Sequence, residues 1–480
     1  MPSLHPSLRH DRSAMDTSWA TANEIAGAVA EGRTTALAVV EDALARIAAR
    51  NPTLNAFTTV TAERARKRAG VIDTAVAKKQ RIGTLAGVPF AVKNLFDISG
   101  LATVSGSRIN RTYPPANRDA ALIERLEANG AVCVGALNMG EYAYDFTGEN
   151  IHDGPSRNPH DTTRMTGGSS GGSGGAVAGG LVPLALGSDT NGSIRVPSSL
   201  CGIFGLKPTY GRLSRARTFP FVGSLDHLGP FARSVHDLAL SYDLMQGPDV
   251  DDPACTDRSP EPTLAQLDRG LSGLRIAVAS GYFARGRTEE ATKALELVAN
   301  AVGAGEEVEI PEAHRARAAA YVITASEGAT LHLNRLRRQA DDFDPAVRDR
   351  LFAGAMVPAT SVIKAQQFRR WYRECVLELF KTYDAIFAPA TPCTAPKIGQ
   401  QTFLLDGVET LVRPNMGLYT QPISFIGLPV VTVPVPLKPM PIGIQVITAP
   451  WREDIAFRIA HALEQRGVVA APRPAIAGGL

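Results

Sequence analysis

The chain of 480 residues is long enough to bury a large core, and its 44% hydrophobic and 20% charged residues exclude wholesale disorder. A formal net charge of +3 at pH 7 gives no electrostatic reason to expect binding to nucleic acid or to an anionic membrane. The five cysteines lie far apart and the nine histidines form no metal-binding pair, so we expect neither a disulfide framework nor a metal site, and a reducing cytoplasm fits best.

The N-terminal stretch lacks the apolar segment of a signal peptide, so residues 1–14 are expected to form a disordered leader. Met1 and Met15 are then alternative start positions. No stretch is long and apolar enough to span a membrane, since the longest candidate, residues 176–186, is short and rich in glycine.

Helices and short buried strands alternate along the chain. Helical spacing predicts two helices within residues 21–50, the second ended by Asn51-Pro52. The other predicted elements are helices over 61–79, 120–129 and 455–465, several helices between about 280 and 380, strands over 88–93, 131–135, 274–279, 384–389, 428–434 and 442–447, and an exposed loop over 251–262. Strands near both ends indicate one α/β sheet built from the whole sequence rather than two independent domains.

The stretch from Met165 to Gly175 has the composition of a flexible linker. It runs directly into an apolar segment, which instead favours a loop attached to the core that lets backbone approach backbone or ligand. The stretch has no lysine for a phosphate-binding loop and no complete GxGxxG. Gly167–Gly171 matches the GxSxG nucleophile elbow, but the residues before it do not predict a buried strand.

A second serine is better placed for chemistry. Ser193 follows an apolar strand, and Asn191-Gly192 predicts a tight turn just before it. Turn N–H groups beside a serine hydroxyl are what an oxyanion hole requires, but the local sequence supplies no base.

Taken together, the chain resembles the amidase signature family. The resemblance rests on Lys93, the Gly-Gly-Ser169-Ser-Gly-Gly loop and Gly-Ser193-Ile-Arg, and it extends through residues 201–209, 427–429 and 441–445. It covers roughly residues 20–470 and implies a central mixed, twisted sheet covered by helices on both faces. In that family the base is a lysine, and a serine in a cis peptide relays the proton.

The resemblance implies a role for each of these residues. Ser193 is the nucleophile, Ser169 the proton relay and Lys93 the base, which burial in the apolar strand would keep neutral. The implied oxyanion hole consists of the N–H groups near Thr190, Asn191, Gly192 and Ser193, and the implied supporting residues are Asp189, Arg195 and Ser170. No metal or organic cofactor is needed for this chemistry.

The resemblance also implies a single domain over residues 15–475. Its expected parts are a helical N-terminal segment (18–80), a catalytic core (81–250 and 380–470) and a helical region that covers the substrate (about 280–380).

Finer resemblances lie in residues 150–159, 388–396, 420–424 and 449–453, which look like the biuret-type amidohydrolases of cyanuric acid breakdown, the carboxybiuret hydrolase group. This implies ammonia release from a small linear amide or ureido acid, a small helical partner subunit, and a homodimer or hetero-oligomer.

A small anionic substrate favours an arginine clamp. The candidate substrate contacts are Met139, Tyr142, Asp145, Gly167, Arg335, Arg338 and Arg413, with Arg337 and His332 near them in sequence. Solvated helix charges and core packing are the alternative interpretations of these residues.

Two other functions stay open. One is the glutaminase subunit of a tRNA-dependent amidotransferase, although its Ser-Gly-Tyr-Tyr-Asp-like stretch is replaced here by residues 352–360. The other is a non-catalytic interaction subunit, against which the intact Lys93, Ser169 and Ser193 argue.

Overall fold

The structure is a computed structural model that describes residues 15–478, so the predicted leader lies outside the described residues. The helices, numbered in chain order, are α1 (Ala22–Ala30), α2 (Ala36–Leu54), α3 (Ala62–Ala77), α4 (Ala121–Ala128), α5 (Gly171–Ala178), α6 (Arg195–Cys201), α7 (Val235–Met245), α8 (Glu289–Val302), α9 (Ala313–Gln339), α10 (Pro345–Ala355), α11 (Ala359–Thr382), α12 (Val412–Asn415), α13 (Gln421–Ser424) and α14 (Glu453–Gln465). The strands are β1 (Phe57–Val60), β2 (Pro89–Lys93), β3 (Val132–Leu137), β4 (Arg157–Asn158), β5 (Asp161–Met165), β6 (Leu184–Asp189), β7 (Phe204–Lys207), β8 (His227–Ala232), β9 (Ile276–Ser280), β10 (Glu306–Glu309), β11 (Ala385–Pro389), β12 (Thr402–Leu405), β13 (Val408–Leu411), β14 (Val430–Val435) and β15 (Ile442–Thr448).

One sheet of eleven strands runs through the molecule in the order β1-β3-β2-β6-β8-β7-β14-β15-β11-β9-β10. It is mixed, because β2 pairs in parallel with β3 and β6 whereas β14 and β15 pair antiparallel. Helices α6 and α14 both pack against the same two strands, β14 and β15. The expected α/β fold with a helix-covered mixed sheet is confirmed, and strands from both ends of the chain join the one sheet.

The predicted helices and strands are present with small shifts of their ends. The first helix begins as local chemistry dictates, because Thr21 and Glu24 form a reciprocal capping box. The predicted end of the second helix is wrong: Pro52 lies inside α2, which continues to Leu54. The last turn tolerates the proline because the Asn55 N–H closes it on Asn51 O at 2.7 Å, with Asn55 in the left-handed region.

The glycine-rich stretch is not a linker. Every residue from 165 to 178 is buried, and Gly171–Ala178 forms helix α5. A Cβ on Gly172 would lie 2.5 Å from both Ala56 O and Asn138 N, so only glycine lets α5 approach this backbone. The expectation that these glycines serve close backbone approach is correct, but the sequence analysis did not predict the helix. Strand β5 before the stretch is short and only partly buried, as expected.

Strand register brings two chain segments together at one edge of the sheet. In the parallel pair of β2 and β6, Val92 lies opposite Leu186. The carboxyl ends of both strands therefore emerge side by side, which places Lys93 next to Ser188. The division of the domain into N-terminal segment, core and covering region stays a prediction.

Candidate active site

Lys93 ends strand β2 and is fully buried. Its Nζ lies 2.7 Å from Ser169 Oγ and 2.9 Å from Ser188 Oγ. Burial lowers the pKa of Lys93 to about 7, although the charges of Asp226, Asp189 and Asp145 oppose this shift. A substantial fraction of Lys93 is therefore neutral near pH 7 and able to accept a proton, as the sequence argument requires.

Ser169 lies between the cis peptide bond that joins it to Gly168 and the first turn of α5. Its Oγ is held by Lys93, and its carbonyl accepts the Gly140 N–H at 3.2 Å. The next residue, Ser170, bonds the backbone of Ser188 on the neighbouring strand through its Oγ. The loop is thus fixed to the strand that leads to Ser193.

Ser193 lies in the short connection between β6 and α6, with 3% of its surface exposed. Among residues 15–478 its Oγ makes no hydrogen bond, including none to Ser169. It faces a cavity of about 20 Å³, lined by Ala143, Tyr144, Asp145, Phe146, Thr190, Asn191, Ser193, Phe221, Tyr321, Arg350 and Gln421.

The turn before Ser193 presents unpaired donors. Within the described part of the chain, no N–H group of residues 190–193 donates to another protein group. The side chains of the turn are nevertheless fixed, because Thr190 Oγ1 donates to Asp226 at 2.6 Å and Asn191 Nδ2 to Thr324 at 2.9 Å. Buried N–H groups are rarely left without a partner, so this turn has the geometry of an oxyanion hole.

A buried ion pair supports the turn from behind. Arg195 Nε and Nη2 each lie 3.0 Å from an oxygen of Asp189, and both side chains are fully buried. Burial opposes ionisation of Asp189, but Arg195 outweighs it and holds the pKa of the carboxyl below its usual value. Asp189 Oδ2 also accepts the Ile194 N–H at 3.2 Å, so the carboxylate ties the end of β6 to the start of α6.

Comparison with known proteins agrees with this geometry. The model of the family described as Amidase matches residues 38–456. The chain belongs to the amidase family. It is 53% identical to AtzE, a 1-carboxybiuret hydrolase subunit of Pseudomonas sp. strain ADP, over 93% of this chain and 98% of that protein.

Two further relatives place the amidase among its neighbours. A solved structure from a vestigial protein complex, described as revealing the origins of an s-triazine catabolic enzyme, superposes with a TM-score of 0.93 at 52% identity and covers 94% of this chain and 100% of that one. A glutamyl-tRNA(Gln) amidotransferase subunit of Symbiobacterium thermophilum is 36% identical over 93% of this chain and 96% of its own. Both the family and the resemblance to carboxybiuret hydrolase are confirmed, and the protein is a hydrolase of linear amide bonds rather than a non-catalytic subunit.

Of the proposed substrate contacts, only Asp145 lines the cavity beside Ser193. Its carboxylate is already bonded at 2.7 Å to Arg413, which also lies 3.3 Å from Glu149. Arg413 is therefore neutralised and poorly suited to clamp a substrate carboxylate.

The remaining candidates lie outside that cavity. Tyr142 is buried and donates its hydroxyl to Asn110 at 3.0 Å, and its ring lies 4.0 Å from that of His332. Arg335 bonds the hydroxyl of Tyr113 at 2.8 Å. The other four are Met139 and Gly167, both buried, and Arg337 and Arg338, both exposed on α9.

The sequence analysis missed two residues of the site. Ser188, the second partner of Lys93, was passed over as part of a strand, although its position one residue before Asp189 at the strand end was a usable signal. Arg350, on α10, lines the cavity with its guanidinium 3.8 Å from the ring centre of Tyr144. Nothing in the local sequence separates Arg350 from the surface arginines of the same region.

Arg350 is a cation without an acidic partner. It is partly buried and donates to Ala346 O at 2.7 Å and to Tyr144 O. Among residues 15–478 no carboxylate lies within ion-pair distance of it, and burial lowers its pKa. An arginine in this state is a favourable partner for the carboxylate of a ligand.

No described helix is both long and apolar enough to cross a membrane. Among the residues that the structure describes, no cluster of three His, Cys, Asp or Glu side chains could hold a metal ion.

We expect Asp189→Asn to lower the free energy of unfolding by about 3–5 kcal/mol, because it leaves Arg195 buried without its counter-charge. Urea unfolding followed by circular dichroism measures this. The matched control is Asp341→Asn, at a fully exposed carboxylate, which is expected to change stability by less than about 0.5 kcal/mol. Equal effects of the two substitutions would contradict the structural role of Asp189.

Proposed function

We propose that the amidase hydrolyses the C–N bond of a small linear amide or ureido acid of the carboxybiuret type and releases ammonia through an acyl-enzyme. The observation that carries the substrate class is Arg350, an arginine without a carboxylate partner within the described residues that lines the same cavity as Ser193. The identity of 53% to a 1-carboxybiuret hydrolase subunit supports the same class.

Acylation begins with attack of Ser193 Oγ on the substrate carbonyl. The hydroxyl proton passes to Ser169 Oγ, whose own proton passes to neutral Lys93 Nζ at 2.7 Å. The relay requires a hydrogen bond between the two serines, and such catalytic contacts commonly tighten only when substrate binds. The new C–O⁻ of the tetrahedral intermediate is received by the free N–H groups of residues 190–193.

Collapse of the intermediate breaks the C–N bond. The Lys93 ammonium returns its proton through Ser169 to the leaving nitrogen, which departs as ammonia and leaves an ester on Ser193. Water then attacks that ester, giving its proton to Lys93 along the same route. Ser193 is reprotonated as the acid product leaves, so the protein ends the cycle unchanged.

The covering helices are expected to respond to substrate. A cavity of about 20 Å³ holds little more than one water molecule, so substrate must displace lining side chains. Tyr321 on α9 and Arg350 on α10 line it from the helical region that was predicted to cover the substrate.

We expect Arg350→Ala to raise the KM for carboxybiuret by about 10- to 150-fold, since a charge-assisted hydrogen bond contributes about 1.5–3 kcal/mol. Biuret has no carboxylate, so its turnover is expected to change by less than about threefold. Steady-state ammonia release with each substrate measures the difference.

Arg348→Ala is the matched control, because Arg348 lies on the same helix, pairs with Asp341 and Asp349, and does not line the cavity. It is expected to leave both KM values unchanged. A loss in Arg350→Ala that is equal for biuret and carboxybiuret would show that Arg350 acts on the fold rather than on the substrate carboxylate.

The substrate is identified by ammonia release from a panel of biuret, carboxybiuret, oxalurate, malonamate, glutamine and an aryl amide, with Ser193→Ala as the blank. Selective turnover of one ureido acid supports the proposal. Selective turnover of glutamine would support the alternative of an amidotransferase glutaminase subunit, which the 36% identity to such proteins keeps in view.

We also propose that the chain works as a homodimer or hetero-oligomer with a small helical partner subunit. The similar solved structure comes from a protein complex. Size-exclusion chromatography with light scattering gives the mass of the purified chain, and a monomer that is fully active alone would overturn this part of the proposal.

A further inference from the structure

A second pocket lies apart from the active site. Its volume is about 340 Å³, and it shares no lining residue with the cavity beside Ser193. Helix α11 forms one wall, and three separate loops form the rest. The lining residues are Thr209, Tyr210, Gln366, Arg369, Arg370, Arg373, Ile426, Gly427 and Trp451.

Three arginines on one helix face this pocket, and its lining contains no aspartate or glutamate. Within the described residues, neither Arg369 nor Arg373 has a carboxylate within ion-pair distance. Arg370 lies 3.3 Å from Glu374, but both side chains are largely exposed, so this pair is weak. Two positive charges are therefore left without compensation.

Arg369 is held in place before any ligand binds. Its Nε donates to Phe425 O at 2.5 Å and its Nη2 to Ser224 O at 2.9 Å. Glu327 lies near it, but both oxygens of that carboxylate accept hydrogen bonds from Ser224. A fixed guanidinium loses little freedom on binding, which favours a specific site over a diffuse charge.

The aromatic walls of the pocket are backed by more guanidinium groups. Arg215 lies 5.3 Å from the ring centre of Tyr210, and Arg258 and Arg212 lie 4.9 and 6.0 Å from that of Trp451. Arg215 and Arg258 are paired with carboxylates. Arg212 instead bonds Tyr242, Gln246 and a carbonyl oxygen, so it adds to the positive potential behind the pocket.

We propose that this pocket is a binding site for a small polyanion that carries at least two carboxylate or phosphate groups. A volume of about 340 Å³ is at the small end of ligand pockets, which suits a small molecule. Arg369 and Arg373 are one helical turn apart and can each engage one anionic group in the two-pronged geometry that guanidinium offers.

The test is calorimetric titration of the full chain with inorganic pyrophosphate and, separately, with citrate at about 150 mM salt. We expect binding of at least one, and the two arms show whether phosphate or carboxylate is preferred. Arg373→Ala is expected to weaken it at least fivefold, and Arg369→Ala with Arg373→Ala to remove it. Arg373→Lys keeps the charge but not the two-pronged geometry and is expected to weaken binding at least threefold.

The matched control is Lys364→Ala, which removes one exposed positive charge from the same helix outside the pocket. It is expected to change affinity by less than twofold. Equal losses for Lys364→Ala and Arg373→Ala, or absence of binding at 10 mM of both anions, would overturn the proposal. Because the readout is binding and Ser193→Ala should bind equally well, the result is independent of the proposed catalytic function.

Discussion

Replacing Ser193 by alanine is expected to lower kcat by about 10⁶-fold, because the hydroxyl that forms the acyl-enzyme is removed. The residual rate reflects what the oxyanion turn and substrate binding achieve without a nucleophile. The fold is expected to be unaffected, since Ser193 Oγ makes no hydrogen bond within residues 15–478. Ammonia release and the urea unfolding midpoint of the variant measure the two effects separately.

Ser198→Ala provides the matched control, because Ser198 lies one turn further along α6 and its buried Oγ also has no hydrogen-bond partner among the described residues. It is expected to retain activity within about twofold. Turnover by Ser193→Ala at the wild-type rate would remove Ser193 as the nucleophile and leave the proposed mechanism without its first step.

Much of the fold was predictable because local pattern and tertiary burial agree. Strand β2 and helix α14 carry apolar spacings that their buried faces use directly. Helix α5 could not be predicted, since each glycine costs a helix about 1 kcal/mol relative to alanine. Its helical state depends on contacts such as that of Gly172 with Asn138, which a local pattern does not contain.

The same division applies to the site. Lys93, Ser169 and Ser193 were found because each lies in a recognisable motif, and the structure places Lys93 and Ser169 in contact. The arginine clamp was not found, because Arg350 gains its meaning from packing on Tyr144, 206 positions away. Arg413 suggested a free cation, yet Asp145, 268 positions away, neutralises it.

Replacing Lys93 by methionine is expected to lower kcat by about 10⁴- to 10⁶-fold and to stabilise the protein at neutral and acidic pH. Methionine keeps an unbranched apolar side chain of similar length but cannot accept a proton. It removes two hydrogen bonds, to Ser169 and Ser188. It also removes the cost of a buried ammonium, which is the larger effect.

The direction follows from the pKa of Lys93, which burial lowers from 10.5 to about 7. Below pH 7 the lysine is charged in both the folded and the unfolded chain, and the folded state bears the full cost of burying the charge. Between pH 7 and 10.5 the unfolded chain binds more protons, so wild-type stability rises with pH. The advantage of Lys93→Met is therefore greatest near pH 6, at a few kcal/mol, and shrinks towards pH 10.

Urea unfolding of both proteins between pH 6 and 9 measures this difference, and the wild-type kcat is expected to rise with pH through about 7 as Lys93 becomes neutral. A second buried lysine makes the assignment testable, because burial also lowers the pKa of Lys207 to about 7. Lys207 Nζ bonds the carbonyls of Pro208 and Leu428 rather than the serines. Lys207→Met should thus gain stability with the same pH trend while the rise of kcat near pH 7 persists. If that rise disappears in Lys207→Met, or if Lys93→Met stays active, Lys93 is not the base.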